Sequence, residues 1–383
     1  MNILLHCSWQ SYNIGDIAHT PGCLAVLNQH LPDASISLLP GPLNHGADTM
    51  LARQFPSLTV LDPDDNAQVT QAFDRADLLL HGSGPNLIRP HHLRRWISET
   101  GKPYGALGST LEQVHEHNRD LVEAASFIFT RETASLEVIR QAELARRPIV
   151  DFAPDATAGM TIIDEAAGQR TLEQFGLKPK SFVCAVPRLR YTPYHEFKPS
   201  IGWDADRIAE VERVNEQHKL ADHARLVHAI RVLLEQTDLR VLLCPEMTYQ
   251  VPLLEQLLRD PLPAALRDRV HNLGRYWLPD AAAAVYGQAA SVISMECHSP
   301  LIALARGTPC IHLRQPEDTI KGQMYHDLGL GDWLFEIDTS DPDEIAAKLV
   351  QQVDDPTAVL GTVNAAQSTV RERLASAAEI IRN

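Results

Sequence analysis

Short apolar runs alternate with amphipathic or polar stretches along almost the whole chain. Asn2–Cys7 reads as a first strand. The polar, glycine-bearing turn Ser11–Asp16 follows it, and Cys23, Leu24, Val26 and Leu27 carry an apolar helical pattern, so the chain opens as strand, loop and helix. Further strand-like runs stand at Ser35–Leu39, Leu58–Leu61, Leu78–Leu80, Tyr104–Leu107, Phe127–Phe129 and Ile149–Phe152, with helical or loop stretches such as Leu111–Ala125 between them. Strands that alternate with helices predict a mainly parallel sheet covered on both faces.

The loop Ala153–Asp155 ends this half. A helical patch at Ala166–Phe175 and the turn Gly176–Ser181 read as a linker, and Phe182–Val186 starts the alternation again. It continues with helix Ala221–Glu235, strand Arg240–Cys244, helix Pro252–Leu258, strand Val270–Leu273, helix Asp280–Gln288, strand Ser291–Ser294, helix Pro300–Arg306 and strand Pro309–Leu313. Residues from Pro342 to Asn383 read as helices interrupted near Asp354–Gly361. The expected architecture is α/β, with two Rossmann-like, doubly wound parallel-sheet domains and a cleft between them. The first domain is expected over residues 1–170 and the second over 178–345, the halves meeting near 165–180. Residues 346–383 are expected to form C-terminal helices that cross back to the first domain.

Composition narrows the function classes. The 383 residues exceed what one core usually organises, and 44% hydrophobic with 22% charged residues is ordinary for globular domains. A net charge of −15 repels phosphate backbones and anionic lipid, so nucleic acid is not an expected partner. The six cysteines include no C-x-x-C pair, which argues against a zinc ribbon or dithiol site. Nothing approaches the run of about 18 apolar residues needed for a membrane span, and the N-terminal apolar run is too short for a signal peptide. A cytoplasmic protein without a cofactor is expected.

In open parallel sheets ligands gather beyond the carboxyl ends of strands, so the loops there carry the candidate chemistry. In Asn13-Ile14-Gly15-Asp16 the glycine lets the backbone turn, and Asp16 can cap the next helix. His81-Gly82-Ser83-Gly84-Pro85-Asn86 can bring backbone N–H groups against a phosphate, carboxylate or sugar hydroxyl, or make an ordinary loop. Arg131, after Phe127–Phe129, can hold an anion by two parallel hydrogen bonds, or pair with Glu132 or another acid. In Ser294–Pro300, His298 is placed near a positive helix end with Ser299 as N-cap and Pro300 at the first helical position. That end depresses an imidazole pKa, while an anionic substrate restores its proton, so His298 is a candidate proton donor; the competing reading is a structural histidine. Arg188, Arg190, Tyr194, His195, Lys198, Glu246 and Lys321 also follow strands, as ligand contacts or as solvated surface.

Taken in order, Asn13-x-Gly15-Asp16, Gly82-Ser83-Gly84, Arg131-Glu132-x-x-Ser135, Pro154-Asp155, Met295-x-x-His298-Ser299 and Gly307-x-Pro309 resemble the polysaccharide pyruvyl transferase family. The likeness spans about Asn2 to Leu330. It implies a GT-B-like fold and transfer of the enolpyruvyl unit of phosphoenolpyruvate onto two hydroxyls of a glycan sugar, in exopolysaccharide biosynthesis. It also implies His298 as proton donor and Arg131 as ligand of the donor phosphate or carboxylate. Asp16, Gly82, Ser83, Gly84, Asn86, Arg188, Arg190, Glu246, Glu296, Ser299 and Lys321 are then the substrate-binding set, without a metal. Arg131 and His298 are expected to face one cleft, within roughly 10 Å of each other. The chain departs from the family pattern at Glu296, where an arginine is usual, at Cys297, where a leucine is usual, and at His81, where a glycine is usual. A GT-B glycosyltransferase using a nucleotide sugar, served by Glu246 and Glu296, and a non-catalytic glycan-binding relative are the alternatives.

Overall fold

The apolar runs form the strands of two parallel sheets in a computed structural model that describes residues 1–7 and 10–382. The first sheet holds β1 (Asn2–Cys7), β2 (Ser35–Pro40), β3 (Thr59–Val60), β4 (Leu78–His81), β5 (Gly84–Pro85), β6 (Tyr104–Thr110), β7 (Phe127–Thr130) and β8 (Ile149–Phe152). Their order is β3-β2-β1-β4-β6-β7-β8, with β5 paired to β6. The second sheet holds β9 (Phe182–Val186), β10 (Arg240–Leu243), β11 (Val270–Asn272), β12 (Ser291–Ser294), β13 (Cys310–Arg314) and β14 (Leu334–Glu336), in the order β11-β10-β9-β12-β13-β14. Winding therefore reverses between β1 and β4 in one sheet and between β9 and β12 in the other. At such a switch point the loops leave neighbouring strands in opposite directions and open a crevice beyond their carboxyl ends.

Alternation along the strands explains why both faces are covered. Ile3, Leu5 and Cys7 of β1 join the central core while Leu4 faces an outer cluster. In β9, Phe182, Cys184 and Val186 join the same central core while Val183 and Ala185 face a second outer cluster. One apolar cluster thus runs from the inner face of one sheet to the inner face of the other, and separate clusters close the two outer faces. All six cysteines are buried in these layers and none forms a disulfide. Among the described residues, no helix is long and apolar enough to cross a membrane.

Several helices differ from the expectation. The helix placed at Ala221–Glu235 begins sixteen residues earlier and spans Ala205–Gln236. Asp204 caps it by accepting from the Arg207 N–H, and its early turns are mostly exposed and polar, which hides the apolar period. The helix expected over Pro252–Leu258 is present but widens, Leu253 and Leu254 leading into a π-helical turn at Glu255–Arg259 closed by Asp260 N–H to the Glu255 carbonyl. The C-terminal interruption shrinks to one residue. The helix Pro342–Asp354 stops at Asp355, and Pro356 starts the helix Pro356–Arg382 with Gly361 well inside it; the expected last residue, Asn383, lies outside the described residues. Proline suits a first helical position because the N–H it lacks has no partner there.

Val359, Val363, Ala366, Val370, Leu374, Ala378 and Ile381 form one buried stripe on that C-terminal helix. It lies against the first helix, Ile14–His30, and the short turn Ala156–Gly159, and Arg382 donates to the His30 carbonyl. Leu374 is 3% exposed and faces Gly159. Leu374→Ala is expected to destabilise the protein by about 2–5 kcal/mol, the range for opening a cavity at a buried leucine, as read by denaturant unfolding.

Candidate active site

The site is assembled where the two crevices meet. On the first side, the Asn13 side chain accepts from the N–H groups of Gly15 (2.6 Å) and Asp16 (3.3 Å). Asn13 is therefore the cap, and the expected capping role of Asp16 is not observed: Asp16 sits in the first helical turn and accepts from Gln10 Nε2 at 2.6 Å. The same Gln10 nitrogen reaches Tyr194 of the second half at 3.0 Å. Main-chain bonds stitch this turn to the loop after β10. Ile14 N–H donates to the Glu246 carbonyl (2.9 Å), and Thr248 N–H donates to the Tyr12 carbonyl (3.0 Å).

On the second side, the helix His298–Ala305 begins two residues earlier than expected. Ser299 is not its N-cap and Pro300 is not its first residue. Cys297 occupies the cap position without a capping side-chain bond, its Sγ lying 3.5 Å from His298 Nδ1 instead. The Glu246 carboxylate takes over that task from another loop, its Oε2 accepting from both the N–H and the hydroxyl of Ser299 at 2.7 Å. A carboxylate there satisfies an otherwise unpaired N–H and meets the positive end of the helix.

His298 fills the junction. Its ring lies over the first turn of the first helix, where a Cβ on Gly15 would collide with the ring carbon Cγ. Only glycine allows that approach. Nδ1 of His298 faces Glu246 Oε1 at 3.4 Å and Nε2 faces Asp155 Oδ2 at 3.7 Å, so one carboxylate from each half flanks the ring. His19, fully buried one helical turn beyond Gly15, brings its Nε2 to 3.3 Å from both His298 Nε2 and Asp155 Oδ2. The expected downward shift of the His298 pKa is reversed. Burial does oppose the imidazolium, but the neighbouring Cys297, Asp155 and Glu246 outweigh burial and hold the pKa well above the usual histidine value. Burial likewise opposes ionisation of Asp155 and Glu246. His19, His298 and Arg131 keep Asp155 well below the ordinary range, and His298 with Ser299 keeps Glu246 below it.

Arg131 stands behind this centre, 1% exposed. Its Nη1 donates to Asp155 Oδ2 and its Nε to Thr110 Oγ1, both at 2.7 Å. An arginine so engaged positions Asp155, and its expected hold on a donor anion is not what the geometry provides. Asp155 itself is fixed on its other oxygen by the Thr157 N–H at 2.9 Å.

The remaining candidates divide. Glu296 is buried, its Oε1 accepting from Gln250 Nε2 (2.6 Å) and its Oε2 facing Arg188 Nε (3.5 Å). Burial pushes its pKa up to about 8 although Arg188 pulls against it. Arg188 also pairs with Asp318, to which Lys321 comes within 3.9 Å. This second cluster adjoins His298 through Cys297. Arg190 is occupied elsewhere, bidentate on Asp222 (2.8 and 2.9 Å) and paired with Asp338. The glycine loop is also spent inside the first half. A Cβ on Gly82 would collide with Cys7 Sγ, Ser83 Oγ bridges the Leu107 carbonyl and the Ala156 N–H, and Asn86 bonds the Leu87 N–H. The packing of strand against helix, and not an anion, accounts for Gly82 and Ser83; a Cβ on Gly84 would meet nothing within 4 Å.

His19, Asp155 and Gln250 were not among the expected site residues. Asp155 stood in the Pro154-Asp155 motif without a role. His19 could have been found from its spacing, since Gly15 and His19 share one helix face four residues apart.

Residues 13–315 match the profile of one family, described as polysaccharide pyruvyl transferase. No curated protein matches the sequence. Among solved structures, a putative UDP-N-acetylglucosamine 2-epimerase from Listeria monocytogenes is similar with a TM-score of 0.62 at 12% identity, over 98% of this chain and 94% of that one. Anabaena Alr3699/HepE in complex with UDP and glucose gives 0.56 at 14% identity, over 100% and 98%. The Escherichia coli ADP-heptose heptosyltransferase II gives 0.51 at 12%, over 93% and 99%. At such identities the likeness shows the fold, the two-sheet GT-B arrangement.

Two outcomes test this geometry. Gly15→Ala is expected to keep the helix but displace the His298 ring, visible as a changed imidazole NMR signal with the far-ultraviolet circular dichroism unaltered. Glu132, buried beside Arg131 and bonded by Thr110 and Ser135, has its pKa raised by burial from 4.5 to about 7. The fold therefore favours its neutral form, a contribution fully present below pH 4.5 and lost as the pH rises through about 7. The melting temperature of Glu132→Gln is expected to gain on the wild type above pH 7 and to show no such gain at pH 5.

Proposed function

Because the chain belongs to the polysaccharide pyruvyl transferase family, we propose that it transfers the enolpyruvyl unit of phosphoenolpyruvate onto two hydroxyls of a glycan sugar, forming a pyruvate ketal and releasing phosphate. The observation that carries this reading is His298 at the meeting of the two halves, flanked by Asp155 and Glu246. Both carboxylates favour the imidazolium, the form a proton donor must hold.

The chemistry follows from that placement. His298 gives its proton to the methylene carbon of the donor, and positive charge develops at the adjacent carbon that bears the phosphate oxygen. One sugar hydroxyl adds there and returns its proton to the imidazole. The bond from that carbon to the phosphate oxygen then breaks, the second hydroxyl closes the ketal, and its proton leaves with the phosphate. Arg131 is a positioning residue that acts through Asp155. Lys321, 22% exposed and held by Asp318 only at 3.9 Å, is the cation offered to the donor phosphate. Asp16, with Gln10 and Tyr194 around it, belongs to the acceptor side. The activity fits a cytoplasmic step in exopolysaccharide synthesis.

The charge reversal at Glu296 bears on donor binding. Its pairing with Arg188 returns a cation to the neighbourhood, so the reversal does not leave an isolated negative charge beside the donor. A nucleotide-sugar glycosyltransferase is the second reading, supported by the fold of the UDP-bound neighbours.

Phosphate release and acceptor mass are to be measured with phosphoenolpyruvate and a panel of glycans, with nucleotide sugars as the comparison. The expected result is acceptor-dependent phosphate release from phosphoenolpyruvate, with His298→Gln lowering kcat by about 10²–10⁴-fold. Turnover that survives this substitution removes the assigned role. Turnover with a nucleotide sugar alone replaces the reading.

A further inference from the structure

His19 Nε2, His298 Nε2 and Asp155 Oδ2 form a triangle with sides of 3.3, 3.3 and 3.7 Å, and all three residues are buried. Two imidazole nitrogens and a carboxylate oxygen, donor atoms of the kind that bind transition metals, thus converge on one another.

A cation at the centre meets three lone pairs at once. With bonds of about 2.0–2.1 Å to a tetrahedral metal, ligand atoms stand ~3.3–3.4 Å apart, the spacing of two sides and near that of the third. Octahedral neighbours at the same bond length would stand at ~3.0 Å. We propose that His19, Asp155 and His298 bind one divalent transition-metal ion of the zinc class, with a fourth position left for water or substrate.

The surrounding contacts suit such an ion. Thr157 N–H fixes Asp155 Oδ1 and Arg131 Nη1 donates to Oδ2 at 2.7 Å, so the carboxylate is oriented from both sides and the ion takes the remaining lone pair of Oδ2. Glu246 Oε1, which has no other hydrogen-bond partner among the described residues, faces His298 Nδ1 at 3.4 Å, an arrangement in which a carboxylate orients a metal-bound imidazole. Imidazole nitrogen with one carboxylate oxygen is a donor set that zinc accepts. The consequence rests on the pyruvyl-transfer reading: a metal on His298 Nε2 occupies the lone pair that would carry the catalytic proton. The loaded site is then a reversible off-switch for the acid.

The test uses full-length protein stripped with a chelator, then titrated with Co²⁺ and with Zn²⁺. One equivalent of Zn²⁺ is expected to stay bound through gel filtration, and Co²⁺ is expected to give the intense visible absorption of tetrahedral coordination. His19→Ala and Asp155→Asn, each checked for folding by thermal melt, are expected to cost more affinity than the ~10–100-fold lost with an outer-shell partner. No retained metal, an octahedral Co²⁺ spectrum, or retention unaffected by both substitutions overturns the site. Phosphate release from phosphoenolpyruvate is compared in the stripped and Zn²⁺-loaded protein. Loss on loading with recovery on chelation supports the switch, and equal or greater turnover when loaded overturns it. Absence of turnover in both forms counts against pyruvyl transfer, and the cobalt spectrum still decides the metal site.

Discussion

The Asp155 carboxylate is the contact on which the centre depends. One of its oxygens receives Arg131, His19 and His298, which arrive from three different elements and from both halves. Each of these partners is buried, and breaking a buried ion pair by removing one member typically costs about 3–5 kcal/mol because the other charge is left without compensation. The arrangement is consequently all or nothing. Arg131 holds Asp155, Asp155 and Glu246 hold His298, and Glu246 also caps the helix that carries His298.

A second buried contact explains how the cleft accommodates the acid Glu296. Glu296 lies against Arg188, which comes from the loop after β9, and Arg188 is shared with Asp318. Burial holds the Glu296 pKa up to about 8, so beside Arg188 its charge is largely suppressed at neutral pH. Charge in a closed cleft is thus a property of the set of loops and not of one position.

The fold was legible because burial on both faces of a parallel sheet writes continuous apolar runs, as in Leu78–Leu80 and Phe182–Val186. The long helix Ala205–Gln236 was half hidden because its early turns bury little. Loop positions after strands led to His298, Arg131 and Glu246. Their roles were less legible, since sequence order does not reveal that Asp155 would engage Arg131 or that Glu246 would cap a helix far along the chain. Capping at Asp16 and Ser299 is not legible in the sequence, because the group that satisfies a helix end can come from an adjacent asparagine or from a distant loop. The one mark of His19 in the sequence is its four-residue spacing from Gly15, which puts both on one helix face; that Asp155 and His298 lie opposite is a property of the assembled halves.

The bonds that join Tyr12 and Ile14 to Thr248 and Glu246 are made by main chain alone. Peptide groups are present whatever the side chains are, so the register between the halves is insulated from mutation at the very residues that line the cleft. Side chains such as Gln10 and Tyr194 can change by substitution while the distance between the flanking carboxylates is held constant. A lineage built this way can change what lines its cleft without moving the ring of His298.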